Sequence, residues 1–162
     1  MNNTINNTIN YIKTQSTILG FDPGRDKCGV AVMGIDLKLY HHEVVPAKQV
    51  ITRISDFRTT FSISRIVMGN QTTAKTWKQQ LEQELNPSLD IILVDERYTT
   101  LAARDRYWQM FPPRGLTSLV PKGLRQPPRV IDDIVAILLI ERYLKELGDG
   151  QKHSTSNPSR DQ

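Results

Sequence analysis

The sequence predicts an α/β protein built on one mixed β-sheet, and three observations support this prediction. Short apolar or β-branched segments dominate the first part of the chain, whereas helical periodicity alternates with strands in the rest. The predicted order of elements is therefore β-β-β-α-β-α-β-α-α, which is typical of an α/β layer protein. With 162 residues and a mass of 18.5 kDa, the chain is long enough for one domain with a sizeable core and too short for two.

Three short strands are predicted before the first helix. They cover residues 16–22, 29–33 and 37–45, and turn residues separate them. This spacing is that of an antiparallel meander.

Helices and strands alternate from Pro46 onwards. Apolar residues recur every three or four positions from Pro46 to Phe61, which predicts an amphipathic helix. A loop at 112–128, holding five of the 9 prolines, precedes the final helix. The other predicted elements are a strand at 64–70, a helix at 74–85, a strand at 90–96, a helix at 98–111 and a buried helix at 129–147.

The ends of the chain differ in composition from the predicted domain, which spans residues 16–147. Residues 1–15 form a polar leader and residues 148–162 a polar tail, and we expect both to be disordered. The leader has neither the apolar segment of a signal peptide nor a membrane-spanning stretch, so we expect a cytoplasmic protein without a membrane partner. A single cysteine, Cys28, excludes an intramolecular disulfide and fits a reducing compartment.

A carboxylate follows the first predicted strand. The strand ends in a continuous apolar run, so Asp22 is a charge at the edge of the core and needs a partner, often a cation. The alternative is an ordinary turn, because Pro23 and Gly24 already supply the backbone angles that a turn requires.

Other acidic residues are predicted near the same sheet edge. Glu96 lies just past the last strand, and either Asp132 or Asp133 opens the final helix. Because parallel strands present their carboxyl ends at one edge, we expect three acidic groups to converge there. Clustered carboxylates repel one another unless a divalent cation neutralises them, and oxygen-only ligands suit Mg²⁺ or Mn²⁺.

Two further features of the sequence leave alternatives open. A helical projection puts Asp132 and Asp133 on the side opposite the charged face, with Asp133 slightly nearer its middle. That margin is too small to choose between them near a helix end. His41 and His42 are interpreted as solvated residues at a strand end, and Cys28 as a small core residue, rather than as zinc ligands.

Basic residues concentrate between positions 97 and 129, where seven Arg or Lys residues face one acid, Asp105. A net charge of +4 and a pI of about 9.3 permit an anionic partner. Lys and Arg contact phosphates, and exposed aromatic side chains stack on unpaired bases, although these aromatics are equally well read as core residues. The interleaved aromatics are Tyr98, Tyr107, Trp108 and Phe111. The predicted nucleic-acid-binding residues are Arg97, Arg104, Arg114, Lys122, Arg125 and Arg129.

Three segments of the chain, taken in order, resemble the YqgF/RuvX family of RNase H-like nucleases. They are ILGFDPGRDKCGVAV, VDERYTTLAAR and VIDDIVAILLIERYL, and the resemblance runs from about Thr17 to Leu147. It implies an RNase H-like fold, with three antiparallel strands followed by two parallel ones in a five-stranded mixed sheet covered by helices on both faces. Position by position, it implies that Asp22, Glu96 and Asp132 are catalytic and bind metal, and it leaves Asp133 to serve the helix N-terminus.

The resemblance also implies an activity. Family members are described as processing the ends of small-subunit ribosomal RNA precursors, and were earlier proposed to resolve Holliday junctions. We therefore expect a hydrolase that uses two Mg²⁺ or Mn²⁺ ions to cleave pre-16S rRNA, acting on structured RNA or branched DNA as a monomer or homodimer. The alternatives are a Holliday junction resolvase and a non-catalytic nucleic-acid-binding module on the same fold. An actin-like phosphotransferase, which an Asp-x-Gly turn also resembles, would need two lobes.

Two segments depart from the family pattern. VMGNQTTAKTW is similar to the Gly-Asn-Gly-Thr segment of the YqgF-like domain in the transcription accessory protein Tex, with Gln71 in place of the second Gly. The proline-rich loop before the last helix is longer than the resemblance implies. We expect both segments to lie near the site, where they would affect the choice of substrate.

Overall fold

A five-stranded sheet with the order β3-β2-β1-β4-β5 forms the centre of the protein. The structure is a computed structural model that describes residues 16–97 and 99–154. Strands β1 to β3 pair antiparallel, whereas β1, β4 and β5 pair parallel, which confirms the predicted mixed sheet. The strands are β1 (Ser16–Asp22), β2 (Lys27–Gly34), β3 (Leu39–Pro46), β4 (Ser62–Gly69) and β5 (Asp90–Val94).

Helices cover both faces of the sheet, as predicted. The helices are α1 (Val50–Thr60), α2 (Ala74–Glu84), α3 (Thr99–Met110) and α4 (Asp132–Ser154). Helices α1 and α2 share one apolar core with the sheet, and α3 and α4 share a second core on the opposite face. No helix in the described part of the chain is long and apolar enough to cross a membrane.

Helix α2 anchors the turn that follows β1. Its residues Trp77 and Leu81, four positions apart on one face, are buried against the sheet. The Trp77 ring packs edge-on against Phe21 at 5.4 Å, and its Nε1–H donates a hydrogen bond of 3.1 Å to the Gly24 carbonyl. The turn after Asp22 is therefore held in place by the core beneath it.

The N-terminal end of α4 lies directly on β2. A Cβ atom at Gly29 would stand 1.9 Å from the carbonyl oxygen of Asp132, and one at Gly20 would stand 2.2 Å from that of Ala136. Because glycine has no Cβ atom, the helix approaches the sheet more closely than any other residue would allow. This contact fixes Asp132 close to the end of β1.

The ends of α4 differ from the prediction. The helix begins at Asp132 rather than at Arg129, and it continues past Leu147 to Ser154. Gly148 lowers helix propensity, but adding a residue to an existing helix is much easier than starting a new one. The predicted leader at 1–15 and the end of the predicted tail, 155–162, lie outside the described residues.

Candidate active site

Asp22, Glu96 and Asp132 line one cavity of about 260 Å³, which we call the acidic cavity. Asp22 is the last residue of β1, Glu96 lies just beyond β5, and Asp132 is the first residue of α4. The parallel strands β1 and β5 both end at this edge of the sheet, and α4 begins there. The structure thus brings the three predicted acidic residues together.

Asp22 is the most perturbed of the three acidic residues. Burial raises the pKa of Asp22 from 3.8 to about 8, and the neighbouring carboxylates of Glu96 and Asp132 contribute to the rise. A negative charge is costly where solvent is excluded and two other carboxylates are close. Asp22 therefore retains its proton at neutral pH unless a cation compensates the charge.

Glu96 is folded over the end of β4. A Cβ atom at Gly69 would stand 1.4 Å from Glu96 Oε1, so only glycine leaves room for this carboxylate. Glu96 is only 5% exposed, and its Oε1 has no hydrogen-bond partner among the described residues. Burial raises the pKa of Glu96, although a hydrogen bond from the Gln71 backbone acts in the opposite direction. A buried carboxylate oxygen without a partner is unfavourable, and a cation would satisfy it.

Asp132 and Asp133 have different surroundings. Asp132 lines the acidic cavity, where burial and the charge of Asp133 raise its pKa while Lys27 acts to lower it. Asp133 is 2% exposed and binds two side chains: His42 Nδ1 lies 2.7 Å from Oδ2, and Arg129 Nη1 donates to Oδ1 at 2.8 Å. Burial alone would raise the pKa of Asp133, but these hydrogen bonds outweigh burial and lower it to about 2.

One prediction about these residues was wrong, and one was incomplete. Asp133 lies in the first turn of α4, as the predicted role at the helix N-terminus requires, but its carboxylate is also bound by the side chains of His42 and Arg129. His42 is not a solvated residue at a strand end; it lies within β3, half-buried and bonded to Asp133. The contact between His42 and Asp133 was not predictable from a local pattern, because the two residues are 91 positions apart in the sequence.

The donor atoms of the acidic cavity fit a hard divalent cation. The three carboxylates, including the unpartnered Glu96 Oε1, supply only oxygen, as Mg²⁺ and Mn²⁺ prefer. His41 and His42 lie on β3 and do not line this cavity. Within the described ranges, no three His, Cys, Asp or Glu side chains are already gathered closely enough to hold an ion. The cavity therefore fits such a cation by the chemistry of its donor atoms.

The chain is similar to proteins of one known family. The family model of RuvX, described as Holliday junction resolvase, matches residues 16–146. The chain belongs to the RuvX family. The family predicted from the sequence is thus confirmed, and with it the class of nuclease.

Two relatives show the same similarity. A protein of Sulfurihydrogenibium sp. is 25% identical over 146 residues, covering 82% of this chain and 92% of the relative. One of Parabacteroides distasonis is 24% identical over 141 residues, covering 79% and 94%. Both are named "Putative pre-16S rRNA nuclease". The structure of Thermus thermophilus RuvC is 15% identical, with a TM-score of 0.49 over 82% of this chain and 96% of RuvC.

Four of the predicted nucleic-acid-binding residues of this RuvX-family chain have exposed or half-buried side chains. Arg97 is exposed and pairs with Asp95 at 2.6 Å, and Lys122 is exposed with a longer contact of 3.9 Å to Asp105. Arg114 is exposed and Arg104 is half-buried on α3. None of these four side chains lines the acidic cavity.

Arg125 and Arg129 are instead bound within the protein, Arg125 inside the proline-rich loop and Arg129 against α3 and α4. Arg125 donates hydrogen bonds to the carbonyls of Val120 at 2.7 Å and Ser118 at 3.1 Å. Arg129 pairs with Asp133, and its guanidinium lies over aromatic rings of α3 and of the residue that follows it, 5.5 Å from the Tyr107 centroid and 5.7 Å from the Phe111 centroid. Tyr107 is buried and packs against Trp108 and Phe111, whereas Tyr98 lies outside the described residues.

Sequence reasoning missed three polar residues that line the acidic cavity. Lys27, Gln71 and Thr100 complete its wall beside the carboxylates. Each had a signal in the sequence: Lys27 follows the Asp-Pro-Gly turn, Gln71 lies in the segment that departs from the family pattern, and Thr100 belongs to the motif after Glu96. Their side chains are the first candidates for substrate contacts beyond the acidic residues.

Proposed function

We propose that this chain is a divalent-metal-dependent nuclease that cleaves phosphodiester bonds in precursors of 16S ribosomal RNA. The observation that carries the proposal is the placement of Asp22, Glu96 and Asp132 on the walls of one cavity at the sheet edge. The names of the two curated relatives support ribosomal RNA as the substrate.

The three carboxylates have a defined task in this reaction. Asp22, Glu96 and Asp132 would hold two Mg²⁺ or Mn²⁺ ions; when bound, such ions activate a water molecule and stabilise the leaving oxygen. Asp22 would lose its proton on loading, because the cations would offset the burial and the repulsion from Glu96 and Asp132 that raise its pKa. Glu96 Oε1 would gain the partner it lacks. A histidine or serine nucleophile is then unnecessary.

The basic surface is proposed to hold the nucleic acid. Arg97, Arg104, Arg114 and Lys122 would contact backbone phosphates, which gives affinity without sequence preference. We infer that the enzyme acts as a monomer or homodimer in the cytoplasm, a compartment that suits the free thiol of Cys28.

Resolution of Holliday junctions is the second candidate function. The description of the RuvX family model favours it, and the same acidic residues would act on a branched DNA substrate. A non-catalytic binding module is less well supported, because such a protein would not need three acidic residues around a partly buried cavity.

A cleavage assay tests the proposal and separates the two candidates. Purified protein would be incubated with Mn²⁺ or Mg²⁺ and with precursor 16S rRNA, a plain single strand or a four-way DNA junction. We expect metal-dependent cleavage that is fastest on the ribosomal precursor. Preferential cleavage of the junction would favour the resolvase, and no cleavage of any substrate would contradict the nuclease proposal.

A further inference from the structure

We propose that a second cavity, adjacent to the acidic cavity, binds one nucleotide of the substrate strand, and that Lys27 binds the phosphate that connects the two cavities. The inference rests on the proposed nuclease function and assigns a subsite to it. The second cavity, which we call the β3 cavity, has a volume of about 530 Å³ and lies between β3 and the start of α4. That volume is within the range of cavities that bind small organic ligands.

Lys27 lies between the two cavities and lines both of them. It is the first residue of β2, opposite Pro46 of β3, and its charge acts on Asp132. Lys27 forms no ion pair with any residue in the described ranges, unlike the basic residue Arg129 of the same wall. Its ammonium group is thus available for an anion that passes from one cavity to the other.

The other charged groups of the β3 cavity already have partners. Asp133 is bound by His42 and Arg129. Glu43 accepts a hydrogen bond from Arg53 Nε, with His41 Nε2 3.3 Å from the same oxygen. Because these carboxylates are compensated, they repel a phosphate only weakly, and Lys27 remains as the cation that would attract it.

The apolar part of the wall indicates that more than a free anion binds here. Val44, Pro46 and Val130 form an apolar surface beside the charged groups. Val130 is 44% exposed although it lies next to the candidate active site. A phosphate alone gains nothing from such a surface, whereas the base or sugar of a nucleotide would bury apolar area against it. The Lys27 ammonium group and the apolar wall, which lie beside the acidic cavity, therefore fit one nucleotide of a nucleic-acid strand.

Equilibrium binding tests the role of Lys27. Binding of a short fluorescein-labelled oligouridylate would be measured by anisotropy in EDTA, so that no cleavage occurs. We expect Lys27→Ala to weaken binding about tenfold and to flatten the dependence of log Kd on log salt by about 0.7, the value for one phosphate contact on a single strand. Lys38→Ala is the matched control, because it removes the same charge from an exposed site at the other end of β2. Equal effects of the two variants would overturn the assignment.

A second pair of variants tests the apolar wall without changing charge. Val44→Trp would fill the β3 cavity, and Ile35→Trp places the same side chain at an exposed site beyond the other end of β2. We expect Val44→Trp to weaken oligouridylate binding at least about fivefold and Ile35→Trp to leave it unchanged. Unchanged binding by a folded Val44→Trp protein, judged by its circular dichroism, would overturn the subsite. The subsite would also be overturned if Val44→Trp weakened the binding of an acidic peptide as much as that of oligouridylate, because the surface would then bind anions in general.

Cleavage measured in parallel separates this inference from the proposed function. If wild type cleaves RNA and Val44→Trp does so with the same KM, the subsite is refuted and the nuclease proposal stands. If wild type binds oligouridylate through Lys27 and Val44 but cleaves no substrate, the nuclease proposal fails and the binding subsite stands.

Discussion

The carboxylates of Asp132 and Asp133, consecutive residues at the start of α4, line two different cavities. Successive side chains of a helix point about 100° apart, so one carboxylate enters the acidic cavity and the other enters the β3 cavity. The pKa of Asp132 is raised by burial, whereas hydrogen bonds from His42 and Arg129 lower that of Asp133 against the effect of burial. Substitution of the two residues should therefore have different consequences.

Asp133→Asn should destabilise the protein at neutral pH. The folded-state pKa of Asp133 is about 2, below its ordinary value of 3.8, so its contribution is present above 3.8 and is lost as the pH falls towards 2. One pKa unit corresponds to about 1.4 kcal/mol, so we expect a loss of about 2 kcal/mol at pH 7. Urea denaturation of wild type and variant at several pH values measures this. A difference that does not shrink between pH 5 and pH 2 would contradict the ion-pair role.

Asp22→Asn should stabilise the metal-free protein at alkaline pH. Because the pKa of Asp22 is raised to about 8, the folded state holds a proton between pH 3.8 and 8 that the unfolded state has released. The free energy of unfolding therefore falls as the pH rises through this range, and the variant escapes that loss. We expect a gain of up to about 5 kcal/mol at pH 8 and little change at pH 4, by thermal melting in EDTA.

The control for this experiment is Asp26→Asn, in the exposed part of the same turn. Because its side chain is exposed, it should give a smaller gain in melting temperature at pH 8 than Asp22→Asn. Equal melting temperatures of wild type and Asp22→Asn at every pH would contradict the cost of ionising Asp22 in this buried acidic cluster.

Gly69→Ala should inactivate the enzyme while leaving the fold intact. The new Cβ atom would occupy the position of Glu96 Oε1, and the flexible end of that side chain would move out of the acidic cavity. A displacement of this size in a catalytic group typically costs about 100-fold in rate. Gly123→Ala is a suitable control, because a Cβ atom there would contact nothing within 4 Å. Full activity of a folded Gly69→Ala enzyme would exclude Glu96 from the mechanism.

Binding of nucleic acid should depend on salt through the exposed basic residues. Arg114→Ala and Lys122→Ala should each flatten the dependence of log Kd on log salt by about 0.7 to 0.9, as expected for the loss of one phosphate contact. Arg58→Ala, on α1 at the other face of the sheet, should not change it. Salt titrations of labelled RNA measure the slopes, and equal slopes for all three variants would place the contacts elsewhere.

The fold was largely predictable because its signals are local. The apolar run before Asp22 and the periodicity of the segment after Pro46 each depend on neighbouring residues, and both elements formed as predicted. The convergence of Asp22 and Glu96 followed from strand direction alone. The strand ends differ from the prediction by about two residues, and the start and end of α4 differ more, because the boundary of an element depends on contacts that periodicity does not reveal.

The parts of the site that were missed depend on side-chain contacts, one of which joins distant segments. His42 and Asp133 are 91 residues apart in sequence, and neither has a local pattern that indicates the other. Arg125 and Arg129 were predicted to bind nucleic acid from charge alone, yet Arg125 bonds loop carbonyls and Arg129 bonds Asp133. Composition shows that a basic residue is present, but only the structure shows whether its charge is already paired.

Cleavage of precursor 16S rRNA by Asp132→Asn and Asp133→Asn, measured beside wild type in Mn²⁺ below the melting temperature of both variants, is the most direct test of the candidate active site. We predict that Asp132→Asn loses cleavage by at least about 100-fold, because it removes one of three carboxylates that would bind the cations. Asp133→Asn should cleave within about tenfold of wild type, because its carboxylate faces the other cavity. An active Asp132→Asn enzyme beside an inactive, folded Asp133→Asn enzyme would contradict the assignment of the site.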